Sequence, residues 1–388
     1  MQEAGKTRRI YLDHNATTPL HPEVLEAMLP WLGDGFGNAS SIHTEGRKAR
    51  AAMDRSRSRV AEFLIVDESE VYFTSGGTES NNLALHGVAE SPSAAGKYHL
   101  VTSSVEHHAV LRPMQHLAAQ GRELTLLTVD STGRVDPEEL RRSILPDKTA
   151  LVSIIAANNE TGTVQPIESL GNICRDQGVP FHVDGVQAAG RLPLNLGDLP
   201  VDLLSISAHK FYGPQAVGAL YIRKGLEVEP QILGGGQERG RRSGTENIAG
   251  IVGLGAACEV AGRDADKHRL KQQRLREYLF RELFGRIEGA RLNGHPTERL
   301  CNTLNVSFEG VEGEALLLNL DLKGVAVSSG SACSSGSLEP SHVLIAMGLT
   351  SEQAQNSVRF SLGRGNTEAE IDDVVEIMVE IVSRLRNL

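Results

Sequence analysis

The sequence predicts an α/β protein, with a mostly parallel central sheet in a large domain and a small α+β domain beside it. Three observations carry that expectation. Between residues 69 and 223, short apolar runs alternate with amphipathic helical stretches, the pattern of a parallel sheet covered on both faces. After residue 234 the alternation stops, and a Gly/Arg-rich stretch leads into one long helical segment. The chain then closes on a segment whose apolar residues recur at helical spacing.

Taken in order, residues 71–75, 99–103, 124–129, 150–156, 181–184 and 203–207 read as strands. Stretches 80–89, 109–119 and 167–177 are amphipathic and read as the helices between several of them. Residues 234–244 read as a loop, followed by a helix from 247 to about 284. A strand at 302–308, a helix near 313–320, a Ser/Gly-rich segment at 328–337 and a strand at 356–362 come next. In the last helix Ile371, Val374, Val375, Met378, Ile381, Val382 and Leu385 share a face, and Thr367 with Glu370 makes a capping box. The expected division is 19–262 for the large domain, with 1–18 and 263–388 forming the small one. The small domain carries a loop of about 326–338, expected to be mobile.

A chain of 388 residues has room for two domains, and 40% apolar with 23% charged residues is ordinary for a soluble protein. No apolar run reaches the length of a membrane span, and residues 1–10 are too polar for a secretory signal. A net charge of −10 and few aromatics argue against nucleic acid as a partner. The four cysteines, Cys174, Cys258, Cys301 and Cys333, lack CxxC spacing. Neither a disulfide framework nor a metal site is expected, and a reducing cytoplasm is.

Ligands of such sheets gather at the carboxyl ends of strands. Residues 74–80, Thr-Ser-Gly-Gly-Thr-Glu-Ser, place Gly77 and Thr78 in a turn that could turn backbone N–H groups toward a phosphate. Alone, the turn is equally a tight strand-to-helix connection. Strand 181–184 ends in Asp184, which alone would read as a turn former, and strand 203–207 runs into Ser207, His209 and Lys210. Together these residues supply what an aldehyde cofactor needs. Lys210 offers an amine to bind the aldehyde and Asp184 an acid to face a pyridinium nitrogen. Gly77, Thr78, Ser207 and His209 form a phosphate cradle.

The motifs at 11–18 (Tyr-Leu-Asp-His-Asn-Ala-Thr-Thr), 74–80, Glu106-His107, 158–162 (Asn-Asn-Glu-Thr-Gly), 182–187, 207–210, 242–245, 328–333 (Ser-Ser-Gly-Ser-Ala-Cys) and 359–364 resemble, in this order, those of the cysteine desulfurases. The cysteine motif resembles that of the nitrogen-fixation and iron–sulfur-assembly subgroup. The resemblance implies the aspartate-aminotransferase-like fold (fold type I), pyridoxal 5'-phosphate as cofactor and a homodimer. It implies that Lys210 binds the cofactor covalently, that Asp184 partners its ring nitrogen, and that His107 stacks on the ring and assists proton transfer. Asn159 and Gln187 would bond the ring substituents. Thr78, Ser207 and His209 would hold the phosphate, with Thr245 arriving from the other subunit. Arg359, assisted by Asn159, would bind the substrate carboxylate.

Three cysteines sit in apolar contexts and read as small core residues. Cys333 lies among serines and glycines, in a segment with almost nothing to bury. The expected reaction converts L-cysteine to L-alanine. Lys210 removes the α-proton, and the Cys333 thiolate takes the sulfur as a persulfide for a sulfur-acceptor protein. An aminotransferase or a selenocysteine lyase of the same fold is the alternative.

Overall fold

The computed structural model describes residues 9–329 and 339–387. The chain enters through a short strand, β1 (Ile10–Tyr11). A seven-stranded sheet follows: β2 (Val71–Thr74), β3 (His99–Ser103), β4 (Glu123–Leu127), β5 (Thr149–Ile155), β6 (Phe181–Asp184), β7 (Leu203–Ser207) and β8 (Gly218–Ile222). Their spatial order is β2-β8-β7-β6-β5-β3-β4. Neighbours from β7 to β4 are parallel, while β8 runs antiparallel to both β2 and β7.

The sheet is apolar on both faces because helices cover both. One core joins Val101, Val152, Val183 and Ile206 to residues of the helices Thr44–Leu64 and Ile167–Asp176. The other joins Leu100, Leu203 and Leu220 to residues of the helices Gly77–Ala89 and His108–Ala119. In β8, Ala219 and Tyr221 belong to the first core, Leu220 and Ile222 to the second. That alternation is the period-two signature of a strand buried on both sides. Strand β8 was absent from the sequence reading. It follows β7 without a crossover helix, so the alternation of strands and helices gives no sign of it, and Lys210 sits on the connecting turn.

A third core belongs to a smaller antiparallel sheet of order β12-β13-β10-β9, made of β9 (Ala290–Asn293), β10 (Thr303–Phe308), β12 (Ser328–Ser329) and β13 (Ser357–Ser361). β11 (Val325–Ala326) pairs with β1. The helix Glu368–Arg386 closes this core with the expected apolar face and capping box. The helix Ile248–Arg286 joins the first core to this one: Ile251, Leu254, Ala256, Ala257 and Cys258 pack in the first, and Leu275, Leu279 and Leu283 in the core of the small sheet. The expected Ser/Gly-rich segment begins differently from a free loop, since Ser328 and Ser329 pair with Arg359 and Val358. Cys333 lies outside the described residues. Among the described residues no helix is long and apolar enough to cross a membrane.

The expected loop at 234–244 is pinned to the body by one buried ion pair. Arg57 and Glu238 bond through two parallel contacts of 2.9 and 2.7 Å, with side chains 6% and 2% exposed. Glu238 also accepts from the Phe73 N–H, and Arg57 donates to the Val71 carbonyl. Removing one partner leaves a buried charge uncompensated. Glu238→Ala is expected to cost about 3–5 kcal/mol of unfolding free energy, measured by chemical denaturation. A loss below about 1 kcal/mol, the usual worth of a surface pair, would contradict this account.

Candidate active site

A cavity of about 260 Å³ opens at the carboxyl ends of the central strands. Its lining includes Gly77, Thr78, His107, Asn159, Asp184, Gln187, Ser207, His209, Lys210 and Arg359. Ten of the twelve expected site residues therefore meet in one place. The sheet explains the convergence: the chain leaves β3 toward β4 and leaves β5 toward β6, in opposite directions across the sheet. Such a reversal opens a crevice, and His107 and Asn159 follow its two flanking strands. Thr245 is exposed and does not line this cavity.

Asp184 ends β6 at 3% exposure. Its Oδ2 accepts from Asn81 Nδ2 (2.8 Å) and its Oδ1 from the Val186 N–H (3.0 Å). Lys210 Nζ donates to the main-chain oxygens of Asn15 (2.7 Å) and Ala16 (2.8 Å). Arg359 is 1% exposed, which excludes the surface role open to an arginine in such a strand. Its Nη2 donates to Asp13 Oδ1 (2.6 Å) and its Nη1 to the Asn159 carbonyl (3.1 Å). Arg359 Nε has no partner among the described residues, so the guanidinium keeps a donor for a further acceptor.

The helix Gly77–Ala89 begins with no side chain capping it, leaving its first N–H groups to whatever anion approaches. Gly76 has a φ of +143°, which favours glycine. A Cβ on Gly77 would lie 2.6 Å from Val186 Cγ2. Gly76 is thus needed for its backbone conformation and Gly77 for the close approach of Val186.

Burial lowers the pKa of His107, against the opposing pull of Asp184. Its Nδ1 accepts from the Ala109 N–H (3.0 Å), so the neutral ring carries its proton on Nε2. Burial, then the charges of Lys210 and Arg191, lower the pKa of His209 to about 4. Beside His107, Glu106 is fully enclosed. Its Oε1 accepts from Ser103 Oγ (2.6 Å) and the Ile155 N–H (2.9 Å), while its Oε2 has no partner among the described residues. Burial raises its pKa to about 8, against those two hydrogen bonds.

The sequence reading missed Asn15, Ala16 and Asn81, which also line the cavity, and Asp13, which holds Arg359. Asn81 had a usable signal. It lies one helical turn beyond Thr78, so the two share a face of the helix.

The comparisons with known proteins agree with this geometry. A family described as Aminotransferase class-V matches residues 10–374. The cysteine desulfurase IscS of Dictyoglomus turgidum is 51% identical over 381 residues, 98% of this chain and 96% of that protein. The protein of the same name from Methanosarcina thermophila is 50% identical over 99% of this chain and 94% of its own length. The chain belongs to the cysteine desulfurase family. A solved NifS-like protein superposes with a TM-score of 0.91 at 41% identity, covering 97% of this chain and all of that one. A structure titled "SspA in complex with cysteine" matches with a TM-score of 0.81 at 37% identity, over 92% of this chain and all of that one.

The fold is that of a fold-type-I pyridoxal-phosphate enzyme, and the desulfurase family depends on this cofactor. The cavity fits the group. The uncapped helix start at Gly77 and Thr78 suits a phosphate, and Asp184 suits a protonated ring nitrogen. Asn81 Oδ1 and Arg359 Nε, without partners among the described residues, leave polar groups for a ligand to satisfy.

The Glu106 carboxyl yields a pH test. Because its folded pKa is raised above the unfolded value, its contribution to stability is fully present below about 4.5 and is lost as pH rises toward about 8. Glu106→Gln removes that loss. The stability of the variant relative to the parent is expected to improve steadily between pH 5 and pH 9, read from denaturation midpoints. A gap independent of pH would show that Glu106 is ionised in the folded protein.

Proposed function

We propose that this chain is a pyridoxal-phosphate-dependent cysteine desulfurase that makes L-alanine from L-cysteine and holds the sulfur on Cys333. The observation that carries the reading is the meeting, in one cavity, of an amine, a carboxylate and a buried guanidinium with a donor to spare: Lys210, Asp184 and Arg359. The curated relatives that match nearly the whole chain carry the same activity in their names.

In this reading Arg359 takes the substrate carboxylate, with Asn159 beside it. The bound cofactor supplies an electron sink for the bond between the α-carbon and its proton. Asp184, held from two sides by Asn81 and Val186, keeps the ring nitrogen protonated. Lys210 takes the α-proton, and the two carbonyls that receive its Nζ favour the ammonium so formed. His107 stacks on the ring and assists proton transfer. Gly77, Thr78, Ser207 and His209 receive the phosphate, with Thr245 from a second subunit. Cys333 as thiolate attacks the substrate sulfur. The carbon–sulfur bond breaks with its electrons on the β-carbon, which takes up a proton, Lys210 returns its proton to the α-carbon to complete alanine, and the sulfur stays as a persulfide.

A homodimer follows from the role of Thr245 and from Leu29, Leu32, Phe36 and Ile42, large apolar side chains left exposed on one stretch of a single chain. We divide the chain into a large domain, 19–262, and a small domain of 1–18 with 263–388, because the first core and that of the small sheet separate along the helix Ile248–Arg286. The persulfide passes to a sulfur-acceptor protein, for iron–sulfur cluster assembly or a related thiolation, in a reducing compartment such as the cytoplasm.

The test is alanine release and protein-bound persulfide in single variants. Cys333→Ser is expected to lower turnover on the order of a thousandfold, as loss of a nucleophile does, with bound cofactor retained. Cys174→Ser, Cys258→Ser and Cys301→Ser should keep turnover, apart from any packing cost. Full activity in the Cys333 variant would move the sulfur to another residue. Lys210→Ala should bind the cofactor only non-covalently and release no alanine; a protein that still made alanine would refute the role of Lys210.

A further inference from the structure

Arg191 is a buried cation that the chemistry above leaves unused. It is 8% exposed and donates to three neutral oxygens. Nη1 reaches the main-chain oxygen (3.0 Å) and the side-chain Oε1 (2.8 Å) of Gln187, and Nη2 reaches the main-chain oxygen of His14 (3.3 Å). Among the described residues the titratable groups acting on it or feeling its charge are Cys301, Tyr212, Arg359, His14 and His209, none of them a carboxylate. A cation buried without an anion is costly, and its place in the fold needs another reason.

Gln187 supplies the reason. The two ends of an amide have nearly the same shape and exchange by a half-turn. A guanidinium can only donate, so the end beside Arg191 has to be Oε1. Nε2 is thereby sent the other way, where it donates to the Asn15 carbonyl (2.9 Å). That carbonyl also receives Lys210 Nζ (2.7 Å), and Gln187 lines the cavity with it. We propose that Arg191 is a positioning residue that fixes Gln187 as a hydrogen-bond donor toward the cavity, so that the site selects an oxyanion next to Lys210.

The inference rests on the function proposed above. On pyridoxal phosphate, the carbons flanking the aldehyde-bearing carbon carry the phosphate arm and a hydroxyl. The cradle at Gly77 takes the first. The second therefore meets Gln187 Nε2, and a donor there favours its ionised form. Asn159, expected at the same ring, lies across the Asn15 node, where its carbonyl accepts from Asn15 Nδ2.

The experiment uses the full-length, cofactor-loaded protein as wild type, Arg191→Met, Arg191→Lys, Gln187→Ala and the two double variants. The readouts are the pH titration of the visible absorption band and the dissociation constant for pyridoxal phosphate. Arg191→Met is expected to move the titration midpoint up by about half a unit or more, the worth of one directed hydrogen bond, and to weaken cofactor binding several-fold. Arg191→Lys, which keeps a donor, should recover part of both. In the Gln187→Ala background neither substitution should shift the midpoint further. Equal shifts in both backgrounds would overturn the proposal, because Arg191 would then act through its charge or its packing. An unchanged midpoint in Arg191→Met would overturn it as well. Should Arg191→Met not fold, Arg191→Lys in the two backgrounds completes the same comparison, and an effect independent of Gln187 again overturns it. Failure of the function itself looks different: the wild-type protein would bind no pyridoxal phosphate and show no visible band.

Discussion

Asn15 is 1% exposed, and each of its polar groups is held by a different part of the chain. Its N–H donates to Ser361 Oγ, and its carbonyl receives Gln187 Nε2 and Lys210 Nζ. Its side chain donates to the Asn159 carbonyl and Thr303 Oγ1, and accepts from Asn302 Nδ2. One residue thus joins the turns after β5, β6 and β7 to the small sheet. A buried amide with its valences filled fixes the groups around it, whereas any one of them left unpaired would cost about 1–3 kcal/mol. The cavity exists between two sheets, and this node sets their spacing at the place where the chemistry is carried. The neighbouring contacts share the work: Thr18 donates twice to the His209 carbonyl, and Tyr212 donates back to Thr18.

The charges at the site are arranged so that few of them conflict. Arg359 is balanced by Asp13, and the lowered pKa of His107 and His209 keeps those rings neutral near Lys210. Two buried glutamates beside site residues, Glu106 and Glu160, have pKa values raised by burial to about 8 and about 7. Glu106 is thereby mostly protonated at neutral pH and adds little negative charge near Asp184, and Glu160 is ionised only in part. The same physics sorts the cysteines. Burial raises the pKa of the Cys174, Cys258 and Cys301 thiols, which makes them poor thiolates at neutral pH and poor candidates for accepting sulfur.

Much of this was legible in the sequence, and the part that was not has a common cause. Strands β3, β6 and β7 fall where their runs of apolar residues put them, and every residue in them is buried. Lys210 and Asp184 were found through strand ends, a local feature. Strand β8 escaped because its connection holds no helix. Asn15 and Arg191 escaped because neither periodicity nor a strand end marks them, and Asn81 because its one local sign, its spacing from Thr78, was passed over. Their roles come from partners up to 346 positions away in the chain, as in the bond from Asn15 to Ser361. Periodicity carries no record of such contacts.

The described residues on either side of the segment that holds Cys333 are tied to the cavity. Before it, Ser328 pairs with Arg359, the residue proposed to bind substrate. After it, Ser341 donates to Glu160, next to Asn159, and His342 contacts the Glu106 carbonyl, next to His107. Both ends are therefore tied to residues adjoining the cavity. The same contacts between β12, β13 and the turns beyond the central strands hold this side of the cavity together.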